Sequence, residues 1–273
     1  MSDRKFRFGV VATPQQGSQE WRSTARRAAE LGYCTLLMPD GLQLLSPFPS
    51  LAMAATVTDL RVGTFVLAGP LRPARSAAWE AHSLSVLTGG RFELGIGTGR
   101  PEVRQSAQEL GLRYGSAAER LAQVGQTIDR LRELDGPAHT PVLMAAGGPK
   151  ARALAATKAD IITFATGPLT TRDEIAQMVN EVREHAGERA EQIELAMNLF
   201  VVGEQIPPRT EQFIGADAAT LIAHDSLTML RGSTIQMTDE LQRRRDRLGV
   251  SYVSVNAAFC EQLAPVVELL TGR

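Results

Sequence analysis

The chain has 273 residues, 44% of them hydrophobic and 22% charged, a balance that buries a core and excludes a disordered chain. Its formal net charge is -1, and its arginines are mixed with acidic residues on what read as solvated helix faces, so neither nucleic acid nor a membrane is an expected partner. Two cysteines without His or Cys neighbours at metal-ligand spacing argue against a disulfide framework and a zinc site. With no stretch near the roughly 18 apolar residues of a membrane span, a cytoplasmic protein is expected.

Along the chain, short apolar runs alternate with amphipathic stretches. A strand is predicted at 6–12 and a helix at 21–31, with Ser18 as its cap and Gly32 as its stop. A second strand at 35–39 ends in Asp40-Gly41, and a helix follows at 49–55. The same unit repeats as strand 61–67 and helix 73–87, strand 91–97 and helix 117–134, then strand 142–146 and helix 149–158. Strand 161–164 with helix 171–186, strand 195–202 with helix 234–248, and strand 251–255 with helix 261–270 complete the order. Eight strands alternating with helices predict an α/β chain closed as a (β/α)8 TIM barrel in one domain over 1–273, with a doubly wound open sheet as the other arrangement. The least regular stretch, 203–232, reads as a lid or surface insertion.

In such a barrel the loops after the strands build the active site. They contain Asp40, Ala68-Gly69-Pro70, Thr98-Gly99-Arg100, Gly147-Gly148-Pro149-Lys150 and Ala165-Thr166-Gly167. Gly147-Gly148 at a helix start suits a phosphate as well as it suits a tight turn that needs glycine for geometry alone. Gly95-x-Gly97-x-Gly99 lacks the full dinucleotide fingerprint and fits close backbone approach to a planar ring better. The four histidines fall away from strand ends and read as structural, and neither a nucleophile-His-acid set nor a carboxylate pair is evident. A cofactor is therefore expected to supply the reactivity.

Residues 88–99, Thr88-Gly89-Gly90-Arg91-Phe92-Glu93-Leu94-Gly95-Ile96-Gly97-Thr98-Gly99, preceded by Leu60 to Leu67, resemble the central signature of the bacterial luciferase-like superfamily. Met38-Pro39-Asp40, residues 144–149 and residues 247–252 fit the same pattern, and the coenzyme F420-dependent branch is the nearest in kind. The resemblance implies a luciferase-like barrel and hydride transfer between F420 and a small-molecule substrate, in a homodimer. Its FMN-dependent monooxygenases are the alternative, and a non-catalytic paralogue is a third. It also implies that Asp40 contacts the ring or its hydroxyl, that Phe65-Val66 form a non-prolyl cis peptide against the ring, and that Thr98-Gly99 meet the ring edge. Gly147, Gly148, Lys150 and Ala151 would cradle the phosphate, with Thr166 near the substrate or phosphate. Many F420-dependent relatives have His where this chain has Gly41, and the sugar-phosphate dehydrogenases have Glu where it has Arg100, so glucose-6-phosphate oxidation is not expected. No catalytic residue is assigned, and proton delivery is open among Arg100-ordered water, Gln43 and Thr166. The segment 134–141 is shorter than the family's common insertion, which implies a more open mouth.

Overall fold

The computed structural model describes residues 4–273. The elements are β1 (Arg7–Val11), α1 (Ser18–Glu30), β2 (Thr35–Met38), α2 (Pro47–Ala55), β3 (Arg61–Thr64), β4 (Leu67–Ala68), α3 (Ala74–Leu87) and β5 (Phe92–Gly97). They continue as α4 (Val103–Glu109), α5 (Ala117–Asp135), β6 (Val142–Ala146), α6 (Pro149–Lys158), β7 (Ile161–Phe164), α7 (Arg172–Ala186) and β8 (Glu194–Leu199). After these come β9 (Val201–Val202), α8 (Pro208–Ile214), α9 (Ala218–Ala223), β10 (Met229–Leu230), α10 (Thr234–Leu248), β11 (Val250–Asn256) and α11 (Cys260–Leu270).

The parallel strands run β3-β2-β1-β11-β8-β7-β6-β5-β4, and β3 also pairs with β5, so the sheet closes on itself. With β3 and β4 forming one interrupted stave, this is the expected eight-strand barrel. Helices α5, α7 and α10 begin with reciprocal capping boxes, Ser116 with Glu119, Thr171 with Glu174 and Ser233 with Gln236, which fix where each turn into a helix occurs.

The third stave departs from one continuous strand. The Phe65–Val66 peptide is cis, the Phe65 N–H donates to Met38 O at 2.7 Å, and pairing resumes with Leu67 opposite Ile96 and Ala68 opposite Gly97. The strand expected at 195–202 also divides, because the N–H groups of Phe200 and Val201 both donate to Thr228 O, drawing the chain from the barrel into the β9–β10 pair. Helices α4 and α8 were not expected; both are 7 residues long, too short for periodicity to register. The irregular stretch 203–232 is a folded surface insertion rather than a loose lid. Ile214, Leu221, Leu227, Met229 and Leu230 are buried, and the 3% exposed Arg244 donates to the carbonyls of Leu227 (2.7 Å) and Met229 (3.2 Å).

Charges close the amino end of the barrel. Arg7 reaches Glu93 and Glu194, both at 2.6 Å, and lies 3.6 Å over the Tyr252 ring, while Arg61 donates to Glu93 at 2.7 Å. Burial of these groups is tolerable because each charge has a partner. Above them Leu37, Leu143, Ile161, Ala196 and Tyr252 fill the interior, and the partly exposed Val11, Phe65 and Val66 pack on this layer from the open end.

Glycine decides how closely the third stave approaches β5. A Cβ at Gly95 would lie 1.8 Å from Thr64 O, whereas one at Gly148 would meet nothing within 4 Å. Gly95→Ala is expected to cost about 3 kcal/mol or more, since backbone rather than a flexible side chain must yield. That corresponds to a fall in Tm of roughly 6–12 °C, while Gly148→Ala leaves Tm within about 2 °C. Thermal melts of the two variants check the contrast.

Candidate functional site

The carboxyl ends of the strands bring the sequence-predicted residues into one arc. On the first side, Asp40 follows β2 and touches the chain after β3, Ala68 pairs with Gly97, and a Cβ at Gly99 would lie 3.0 Å from Pro70. A Cβ at Gly97 would sit 3.1 Å from Val66 and 3.5 Å from Ala145, and one at Gly147 would sit 3.1 Å from Ala165 O. These steps lead from β2 and β3 across β5 and β6 to β7, where Thr166 stands. The close approaches at Gly95 and Gly97 are to the chain's own third stave and, at Gly97, also to Ala145 of β6.

Within the arc the residues differ in what they have free. Phe65 and Val66 are half-buried apolar residues that follow β3 and pack on the interior layer of the barrel, Val66 against Gly95 and Gly97 of β5. Asp40 is not free: its side chain is 3% exposed, with Oδ2 accepting from Ala68 N–H at 3.0 Å and from Arg72 at 2.7 Å, and Oδ1 accepting from Arg72 at 3.2 Å. The Thr98 carbonyl accepts from Arg120 Nε at 3.0 Å. Gly148, N-cap of α6, is exposed and uncrowded, and Lys150 is exposed one step further. The N–H groups of Ala151 and Arg152 both donate to Gly148 O at 3.0 Å, which leaves Gly147, Gly148 and Lys150 better disposed toward an anion than Ala151. Beneath them Arg152 donates to Gly147 O and pairs with Glu181, so the turn is braced from its buried side.

Thr166 is half-buried and lines a small cavity of about 40 Å³ with Thr170, Asn198 and Thr228, enough for one or two waters. Asn198 is held by Ser254, whose hydroxyl donates to Asn198 Oδ1 at 2.9 Å. Gln43 is exposed, and its carboxamide lies where a side chain at Gly41 would begin, 2.8 Å from that Cβ position. Arg100 is exposed, and its carbonyl accepts from the Tyr114 hydroxyl at 3.0 Å. The guanidinium carbons of Arg104 and Arg120 lie 5.0 and 4.2 Å from the Tyr114 ring centre, which ties α4 to the loop after β5. Two of the four histidines are paired with carboxylates: His82 Nδ1 lies 2.8 Å from Asp135, and His139 Nε2 lies 2.9 Å from Asp160. Among the described residues, no group of three or more His, Cys, Asp or Glu side chains could hold a metal, and no helix is long and apolar enough to cross a membrane.

Sequence reasoning missed Arg72 and Gln123. Gln123 Nε2 donates to Gly69 O (2.9 Å) and Arg72 O (2.7 Å), securing the loop after β4. The only trace of either in the sequence is a cation soon after Gly69-Pro70, too common a pattern to single out. An open groove of about 660 Å³ lies at the opposite, amino end of the strands, lined by Arg26, Tyr33, Cys34, Asp59 and Arg61 among others, and contains none of the candidate site residues.

A parallel eight-stave barrel gathers the loops after its strands into one carboxyl mouth, where enzymes of this architecture place their active sites. The family model described as luciferase-like monooxygenase matches residues 6–224, and the chain belongs to that family of oxidoreductases and monooxygenases. Among solved structures the chain is similar to a coenzyme F420-dependent tetrahydromethanopterin reductase from Methanopyrus kandleri, with TM-score 0.73 and 16% identity over 98% of this chain and 99% of that one. It is also similar to an F420-dependent secondary alcohol dehydrogenase in complex with an F420-acetone adduct (TM-score 0.75, 15% identity, 98% of each chain). A long-chain alkane monooxygenase is likewise similar (TM-score 0.75, 10% identity, 98% of this chain and 91% of that one). At these identities the likeness is one of fold. No curated protein matches the sequence.

The far rim of the mouth depends on α10. Burial by itself would push the Glu240 carboxyl up, but hydrogen bonds and charges from Arg244 and Arg172 outweigh it and bring it down to about 2. Arg172 also binds Asp225 of the insertion at 2.6 Å. A folded-state value below the ordinary 4.5 means this contribution is complete above about pH 4.5 and is lost as the pH falls toward 2. Wild-type Tm should therefore fall more steeply between pH 6 and pH 3 than that of Glu240→Gln, which starts lower and varies less; parallel melts across that range check it.

Proposed function

We propose that the chain, acting as one domain over 1–273, transfers a hydride between coenzyme F420 and a small organic substrate in the mouth of the barrel. The observation that carries this reading is the pairing, in one mouth, of the half-buried Phe65–Val66 face with the exposed, uncrowded Gly148 turn and Lys150. A planar ring fits the first and its phosphate the second, where the amino end of α6 favours an anion. The bound deazaflavin would supply the hydride chemistry. This chain's own part is to orient and exclude water: Phe65 and Val66 would set the plane of the ring, Gly147, Gly148 and Lys150 would hold the phosphate, and Thr98-Gly99 would face the ring edge. Holding donor and acceptor in attack geometry is worth on the order of 7–11 kcal/mol in well-oriented systems, which suits a mouth poor in acid–base groups.

A second reading is favoured by that same poverty. With Asp40 bound to Arg72 and glycine at position 41, the end of β2 offers no free acid, and oxygen chemistry on reduced FMN, as in a luciferase-like monooxygenase, asks less of such a group. The family model matched is that of monooxygenases. Titrating the purified protein with F420 and with FMN by fluorescence quenching separates the readings. Tighter F420 binding supports the first, FMN binding alone replaces it with the second, and failure of both to bind sinks the enzyme reading in favour of a non-catalytic paralogue. Lys150→Ala should weaken the bound cofactor about tenfold, or ~1.4 kcal/mol, at low salt with Tm unchanged, and less at high salt.

We also propose a cytoplasmic homodimer joined through the outer face of α3. Its inner face is buried, while Trp79, Val86 and Leu87 are 66%, 63% and 80% exposed along one stripe. Sedimentation equilibrium should give a dimer for the wild type and a monomer for Trp79→Glu.

A further inference from the structure

Asp40 has no surface to offer a ligand. Three of its roughly four acceptor positions are filled by Ala68 N–H and the two arms of the Arg72 guanidinium, and its side chain is almost wholly buried. What it does touch lies just beyond the ring-facing segment. Phe65 is fixed to β2 from one side by its N–H on Met38 O, and Ala68 is fixed to the end of β2 from the other by its N–H on Asp40. Residues 65–68 are thus tied to β2 at both ends, while β5 pairs with them through Leu67 and Ala68 and packs Gly95 and Gly97 against Val66.

Arg72 is in turn located by its surroundings. Its Nε lies 3.5 Å from Glu80 Oε2, an oxygen that is buried without a hydrogen-bond partner, its guanidinium carbon is 5.7 Å from the Phe48 ring centre, and its carbonyl is gripped by Gln123. A bidentate pair of this kind fixes direction as well as distance, which a single point charge does not.

We propose that the Asp40–Arg72 pair, with Gln123 behind it, is a positioning device that sets the Phe65–Val66 face against which the cofactor ring lies, and that Asp40 does not itself touch the ring. This rests on the reading of the mouth as a flavin or deazaflavin site. The pair also neutralises the one carboxylate at the end of β2, so the ring is met there by an uncharged surface.

The test uses the full chain, with F420 and FMN as probes. Binding constants by fluorescence quenching, the visible circular dichroism of the bound cofactor, and Tm are measured for Asp40→Asn, Arg72→Gln, Arg72→Lys, Gln123→Ala and the Asp40→Asn/Arg72→Gln double variant. Asp40→Asn and Arg72→Gln should each weaken the cofactor that the wild type binds about tenfold and alter its dichroism. The double variant should be no weaker than the worse single one, because both break the same pair. Arg72→Lys should recover only part of the loss, and Gln123→Ala should cost a few-fold. Loss in Asp40→Asn with wild-type binding in Arg72→Gln would mean that Asp40 contacts the ring directly and would overturn the proposal. A lowered Tm with unchanged binding and dichroism overturns it too, leaving a structural ion pair. Should Asp40→Asn fail to fold, Arg72→Lys and Gln123→Ala carry the same comparison. If the wild type binds neither probe, the functional reading fails and this positioning role falls with it; if the wild type binds and the variants match it, only the positioning role fails.

Discussion

The barrel is organised around the contact between Thr64 and Gly95. The Thr64 hydroxyl donates to Gly95 O at 2.6 Å and accepts from Gly95 N–H at 2.9 Å, in a space where any Cβ would collide with the Thr64 carbonyl. That contact lets the third stave lie flush on β5, leave the ladder at residues 65–66, and return to it at Leu67. Everything on the near side of the mouth takes its position from there: the apolar face, the 67–72 loop, and the arginine that engages Asp40.

Charge is distributed along the barrel axis in a way that matches this arrangement. At the amino end Arg7 pairs with Glu93 and Glu194, and Arg61 also pairs with Glu93, so the buried Glu93 carboxylate and its half-buried partners are matched in charge. Burial, together with the neighbouring Glu93 carboxylate, holds the Tyr252 hydroxyl well above the ordinary phenol range, despite the opposing pull of Arg7, so it stays neutral beneath the apolar layer. At the mouth Asp40, the carboxylate that follows β2, is paired with Arg72, and the exposed Lys150 stands beside the glycine turn.

The far rim is built by different means. There the chain leaves the barrel at Phe200, makes its own two-stranded pair, and is tied down by buried Arg244 and by Arg172. The small cavity beside Thr166 lies between this rim and the barrel, with Leu227 and Thr228 of the insertion among its lining residues.

The order of strands and helices, the barrel they close, and the glycine turn at 147–148 were legible in the sequence, because alternation of apolar runs and the turn chemistry of Gly and Pro are local properties. The likeness of residues 88–99 to the luciferase-like signature located the mouth for the same reason: its residues are contiguous. The sequence could not show what Gly95 and Gly97 make room for, since a glycine records only that something comes close, and here it is the neighbouring strand. Nor could it show that Asp40 is taken by Arg72, 32 residues away, or that 203–232 folds onto Arg244. Those pairings join residues distant in the chain, and burial and geometry, which exist only once the barrel has closed, decide which side chains face the mouth and which hold it in shape.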